Sequence, residues 1–328
     1  MKGTILIKVT DSRVRYSFEL VRNITVVQGN SGTGKTTLFE MIAAYARLKD
    51  RSGVQVVCEH PCTALFDEPN WQDQLKKING SIVFIDEDAE YIGSHDFASA
   101  IRHTDNYYVI FSREPMHELP YSVDEIYEIR TSGKYHSFHK LYRPQKGRIF
   151  AKASECRKSD VVLTEDAASG HQFYQNYYEG SSVQCETAQS NSGIFGWLKA
   201  HHDQKVFIIA DGAAFGSEMD RVMKLQHQYP DKITICLPES FEWLILQSGL
   251  IQVPGLKEMI IDPSSSIDSK EYFSWENFFE EYLINHTVDS YFAYSKSKLH
   301  SFYTIRENSE KIIAVISANM PESNHVKA

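Results

Sequence analysis

The chain opens with two stretches in which apolar and polar residues alternate, "TILIKVT" and "RVRYSFEL", separated by "DSR". Alternation of period two turns one face of each strand inward, so the pair reads as a hairpin. "NITVV" follows as a short buried strand, and "TTLFEMIAAYARL" carries its apolar residues at helical spacing. Further strand patterns stand at "GVQVVCE", "SIVFI", "NYYVIF" and "VDEIYEIRT". From Ser159 the strands "DVVLTED", "SVQCETA", "KVFIIADG" and "KITICLP" alternate with the helices "GHQFYQNYYEG", "GIFGWLKAHH", "SEMDRVMKLQHQYP" and "ESFEWLILQSGL". Such alternation implies a parallel sheet covered by helices. After Pro263, "SSSIDS" reads as a surface loop, and the aromatic residues beyond it fall at helical spacing, which suits packing or an oligomer contact. The expectation is an α/β protein of two domains. The first spans residues 1–143 on a parallel sheet, a basic linker spans 144–158, the second α/β domain spans 159–262, and a helical or mixed extension spans 263–328.

Composition narrows the partners. The formal net charge of −9 argues against wrapping nucleic acid over the whole surface. One stretch runs against that balance: Lys140, Arg143, Lys146, Arg148, Lys152, Arg157 and Lys158 follow one another with hardly any acid between them. It reads as a basic groove or as a solvated linker. Five cysteines at irregular spacing fit reduced thiols. Cys58, His60 and Cys62 offer metal-ligand atoms, but no second Cys/His pair stands at zinc-finger spacing. No apolar run approaches the ~20 residues needed to cross a bilayer, and the strand-like start does not resemble a secretion signal. A cytoplasmic protein with no membrane partner is expected.

The candidate chemistry begins after "NITVV". Gly29-Asn30-Ser31-Gly32-Thr33-Gly34-Lys35-Thr36 fits G-x-x-x-x-G-K-[ST], placed between a strand and a helix that continues through Thr37. Glycines let backbone N–H groups turn inward around phosphates, and the helix N-terminus adds its positive dipole end. Lys35 is then expected to reach the β- and γ-phosphates of ATP, and Thr36 to ligate Mg²⁺. The apolar run Ile82 to Ile85 ends in Asp86 and Glu87, carboxylates at the tip of a buried strand. Asp86 is expected to hold Mg²⁺ through water, and Glu87 to polarise the attacking water. The strand "NYYVIF" ends in Ser112 and Arg113, which suits phosphate sensing, an arginine finger or a surface ion pair. Glu87, Lys35 and Arg113 are the expected catalytic set.

With these motifs, the first half resembles a minimal P-loop ATPase of the ABC/AAA-like, additional-strand class. It departs from ABC-type ATPases in having no LSGGQ-like signature and only a short span between its two motifs. In the second half, Glu165 ends the first strand and Asp211 the third. This arrangement resembles the Toprim domain of topoisomerases, primases and nucleases of the overcoming-lysogenization-defect (OLD) type. There a glutamate after the first strand and a D-x-D after the third collect Mg²⁺ for phosphodiester chemistry. The match is incomplete: Asp166 stands at the family's glycine, Ser169 at a following acid, and Ala213 at the second acid of D-x-D.

The domain order is similar to that of ATPase-plus-Toprim proteins of prokaryotic phage defence. That resemblance implies an ATPase whose nucleotide state governs a nuclease, with Glu165 and Asp211 holding Mg²⁺ against a nucleic acid. The alternative is a nucleotide-gated regulatory or binding module whose Toprim-like half has lost its metal and meets a protein partner, a nucleic acid or a second copy of the chain.

Overall fold

A computed structural model describes residues 1–30, 32–142 and 158–318. Ser31 and the basic residues Arg143, Lys146, Arg148, Lys152 and Arg157 lie outside the described residues. The protein is mixed α/β, with one large, mostly parallel sheet, a second parallel sheet and ten described α-helices. No helix among the described residues is long and apolar enough to cross a membrane. Contacts divide the chain into two units. The first comprises Met1–Tyr142 together with Ile261–Ser274, and the second comprises Arg143–Ile260 together with Trp275–Ala328. Residues 263–328, read from the sequence as one extension, are thus shared between the units.

The first unit holds strands β1 (Ile5–Thr10), β2 (Arg15–Leu20) and β3 (Ile24–Gln28), helix α1 (Lys35–Leu48), β4 (Gln55–Val57) and β5 (Cys62–Leu65). Helix α2 (Trp71–Leu75), β6 (Ile82–Ile85), α3 (His95–Ile101), β7 (Tyr107–Phe111), β8 (Ile126–Ser132) and β9 (Tyr135–Lys140) complete it. The nine strands form one sheet in the order β4-β1-β2-β9-β8-β3-β7-β6-β5. Strands β3, β6 and β7 are almost wholly buried and pair in parallel, as uninterrupted apolar runs require.

The sheet is mixed rather than parallel throughout. β1 pairs antiparallel with β2, and β8 with β9, because two- to four-residue turns can join only antiparallel neighbours; β4, distant in sequence, also pairs antiparallel with β1. Asp11 fixes the first of these turns, its Oδ1 accepting from the Arg13 and Val14 amides at 2.7 Å each. Alternation then buries Ile5, Ile7 and Val9 against Tyr16, Phe18 and Leu20, while Lys8, Arg15 and Ser17 face outward. Leu38, Met41 and Ile42 of α1 complete this core. Each such side chain contributes roughly 1.5–3 kcal/mol by leaving water.

All eight elements expected of the second half are present. They are β10 (Val161–Thr164), α4 (Ser169–Tyr177), β11 (Gln184–Thr187), α5 (Asn191–Ala200), β12 (Val206–Ile209), α6 (Gly216–Gln228), β13 (Ile233–Cys236) and α7 (Phe241–Gln247). The sheet order is β11-β10-β12-β13, every pair parallel. Three further helices follow: α8 (Leu256–Ile261), α9 (Trp275–Thr287) and α10 (Arg306–Ala318). The last two pack on α7, and the aromatic residues Trp275, Phe278 and Phe279 of α9 are buried.

Ser240 opens α7, its hydroxyl accepting from the Trp243 amide at 3.2 Å. That bond satisfies one of the helix's four orphan donors, so Ser240→Ala is expected to lower stability by about 1 kcal/mol. Urea unfolding followed by circular dichroism reads the effect. An unchanged midpoint would mean that the cap contributes nothing.

Candidate nucleotide site and acidic pocket

In the first unit, the segment from Gly29 to Gly34 carries the chain from the carboxyl end of β3 into α1. Gly29, Gly32 and Gly34 have positive φ, 99° at Gly34. A side chain at Gly34 would be strained by its φ, and its Cβ would press to 2.7 Å from the Tyr16 hydroxyl, which donates to the Gly34 carbonyl at 2.9 Å. As the N-cap of α1, Gly34 offers no side-chain acceptor to the first-turn amides. Those amides and the helix dipole therefore present positive charge at the loop. Thr33 donates to the Asn30 carbonyl, Thr36 is exposed at the start of α1, and Thr37 hydrogen-bonds Tyr16.

Lys35 is buried, and its ammonium donates to the Gly29 carbonyl at 2.5 Å and the Asn30 carbonyl at 3.2 Å. The same Nζ lies 3.5 Å from Glu87 Oε2. Arg113 approaches Glu87 from the tip of β7, its Nε donating to Oε2 at 3.1 Å and a terminal nitrogen to Oε1. These bonds from Arg113, with the Lys35 charge adding, hold the Glu87 carboxyl below the ordinary carboxylate range. Burial pushes the neighbouring Asp86 carboxyl upward, opposed by the Glu87 amide, which donates to Asp86 Oδ1 at 3.0 Å. Three residues expected to be catalytic are thus brought together, with Asp86 beside them. Ser112 is not free to sense a ligand as placed, because its buried hydroxyl donates to the Glu114 carbonyl at 2.6 Å. Tyr16, which no motif marked, is the residue that seats the loop.

In the second unit, Glu165 follows β10 and Asp211 follows β12, at the carboxyl ends of adjacent parallel strands. They touch: Glu165 Oε2 accepts from the Asp211 amide at 3.0 Å. Burial raises both carboxyls, Glu165 to about 7, and their mutual repulsion adds to the rise at Asp211. Two further acids escaped the sequence reading. Glu242, on α7, lines the same cavity, and Glu276, on α9, acts on both expected acids through its charge. Glu242 Oε1 accepts from the Tyr294 hydroxyl at 2.5 Å, and Tyr294 in turn bonds Ser169 at 2.5 Å. Lys296 answers this charge from the cavity wall and pairs with Glu280 at 3.1 Å.

The cavity holds only about 30 Å³, space on the scale of one water molecule. Glu218 and Asp220, the acids on the helix that follows Asp211, are bound to Arg221 and Lys224 on that same helix. Ala213 is itself buried. Among the described residues, no group of three or more His, Cys, Asp or Glu side chains is arranged to hold a metal ion. Cys58, His60 and Cys62 instead form a tight turn, the Cys58 sulfur accepting from the His60 amide at 3.4 Å. Comparison of the chain with family models, with curated proteins and with solved structures found no match.

Proposed function

We propose that the first unit binds and hydrolyses ATP at the Gly29–Thr36 segment, and that its nucleotide state governs the second, Toprim-like unit. The observation that carries this reading is the meeting of Lys35, from the loop after β3, with Glu87, from the tip of β6, at 3.5 Å. An uncapped helix start, a close-fitting glycine and a buried lysine together suit a triphosphate. The loop amides and Lys35 would hold the phosphates, with Thr36 and Asp86 as the magnesium side of the site. Mg²⁺, when bound, neutralises charge on the β- and γ-phosphates.

The chain's own residues do the rest. Lys35 and Arg113 converge on Glu87, so a phosphate arriving at the loop competes with Glu87 for both cations. Glu87, kept ionised by those partners, orients the attacking water.

The second unit fits a divalent cation poorly as it stands. Its two strand-end acids are bonded backbone to side chain, the second D-x-D acid is Ala213, and Lys296 already supplies a positive charge. This favours a nucleotide-gated regulatory or binding module. The position of Glu165 and Asp211 at adjacent strand ends supports a second reading, a metal-dependent nuclease of the phage-defence type.

One assay separates the two. Purified protein is incubated with ATP, Mg²⁺ or Mn²⁺, and plasmid, linear DNA or RNA, alongside Glu165→Ala. ATP hydrolysis without cleavage is expected. Metal-dependent cutting lost in Glu165→Ala would replace the module reading with the nuclease, and absence of ATP binding would remove the proposal for the first unit.

A further inference from the structure

The outward face of the antiparallel strands in the first unit has no part in the proposed nucleotide site. Its residues fall into two rows that cross the sheet. Lys8, Ser17, Ser137 and Arg130 are successive cross-strand partners on β1, β2, β9 and β8. Two residues along, Gln55, Thr10, Arg15, Tyr135 and Ser132 form a second row. Strand spacing of about 4.8 Å sets Lys8 and Arg130 roughly 14 Å apart, with serine hydroxyls between them. The face is concave, and its groove encloses about 630 Å³.

Basic residues outnumber acids on this face. Lys8, Arg15, Arg130 and Lys134 gather on or beside this face of a protein whose formal net charge is −9. The acids on the same face are Glu19 and Glu128, and Glu128 is bonded to Arg130 at 2.7 Å. Tyr135 is 54% exposed, a large aromatic surface left in water at the centre of the cations. Arg15 and Lys134 stand 5.9 and 5.6 Å from its ring centre. The Arg15 amide donates to the Lys134 carbonyl at 2.8 Å, which ties the two turns and fixes the ring's setting.

We infer that this face binds single-stranded nucleic acid. The cations suit phosphates, the hydroxyls suit phosphate or sugar oxygens, and an exposed ring flanked by cations suits stacking on an unpaired base. A duplex hides its base faces and leaves Tyr135 without a role. Stacking accepts every base, so the binding is expected to be indifferent to sequence.

The test is fluorescence anisotropy with labelled oligo(dT) and oligo(U) of about 15 nucleotides, and a duplex of equal length, at rising salt and without ATP. Omitting ATP keeps the outcome separate from the hydrolysis proposal. Single strands should bind more tightly than the duplex, with a log–log salt slope of about −2 for three phosphate contacts. Tyr135→Ala should weaken binding about tenfold while Tyr135→Phe retains it. Arg15→Gln and Arg130→Gln should each flatten the slope by about 0.7. These variants leave the basic segment 143–157 intact, so a loss is assignable to this face. Absence of binding at low salt, a duplex bound as tightly as a single strand, or an unaltered Tyr135→Ala would each overturn the inference.

Discussion

Lys35→Ala is expected to abolish measurable ATP turnover, a loss of at least about 100-fold, and to weaken nucleotide binding by tenfold or more. The argument starts from burial. The Lys35 side chain is 3% exposed, and its ammonium is satisfied by two loop carbonyls and Glu87 rather than by water. A cation held this way costs little further ordering when an anion takes the place of those partners. Alanine removes the buried charge at the loop and leaves the phosphates the neutral amides, with the exposed Arg113 as the other side-chain cation named above. Titration with a fluorescent ATP analogue and a phosphate-release assay read the two effects, and a thermal melt checks that the variant folds. Turnover within a few-fold of the parent would sink the assignment of the loop.

Glu87→Gln is expected to do something different: turnover should fall by about 10²–10⁴-fold while nucleotide binding is kept. Glutamine preserves shape and an acceptor for Arg113 but cannot carry the charge that orients water. The bonds from Arg113 lower the Glu87 pKa, so this group stays ionised throughout the neutral range. Its own titration should therefore reduce activity only on acidification below the ordinary carboxylate range. Unchanged turnover would remove Glu87 from the chemistry, and loss of nucleotide binding together with turnover would show Glu87 to be structural.

The sequence made much of this legible because its signals were local. The period-two alternation of β1 and β2 and the strand–helix alternation of the second half each depend on neighbours a few residues away. The loop motif and the acids closing β6, β10 and β12 are equally local. What escaped depends on distant partners. Strand β5 is four residues long and carries too little pattern to stand out behind a cysteine-rich turn. Strand β9 is half-buried with histidines on it, so its alternation is blurred. Glu242 sits within the first turn of a core-forming helix, where it reads as an ordinary surface acid; only folding brings it with Glu276 and Lys296 to the strand ends. Tyr16 looked like one more inward strand residue, and its hydroxyl gained meaning only from the backbone of Gly34.

The return of Ile261–Ser274 to the first unit has a practical consequence. The Gly3 amide donates to the Ser264 carbonyl at 2.8 Å, and the Asn23 side chain donates to the Phe273 carbonyl at 3.0 Å. A fragment ended near residue 142 would lack the segment that supplies both acceptors. No single cut releases either unit whole, so dissecting their activities calls for point substitutions in the intact chain or for a circular permutant that rejoins the interrupted segments.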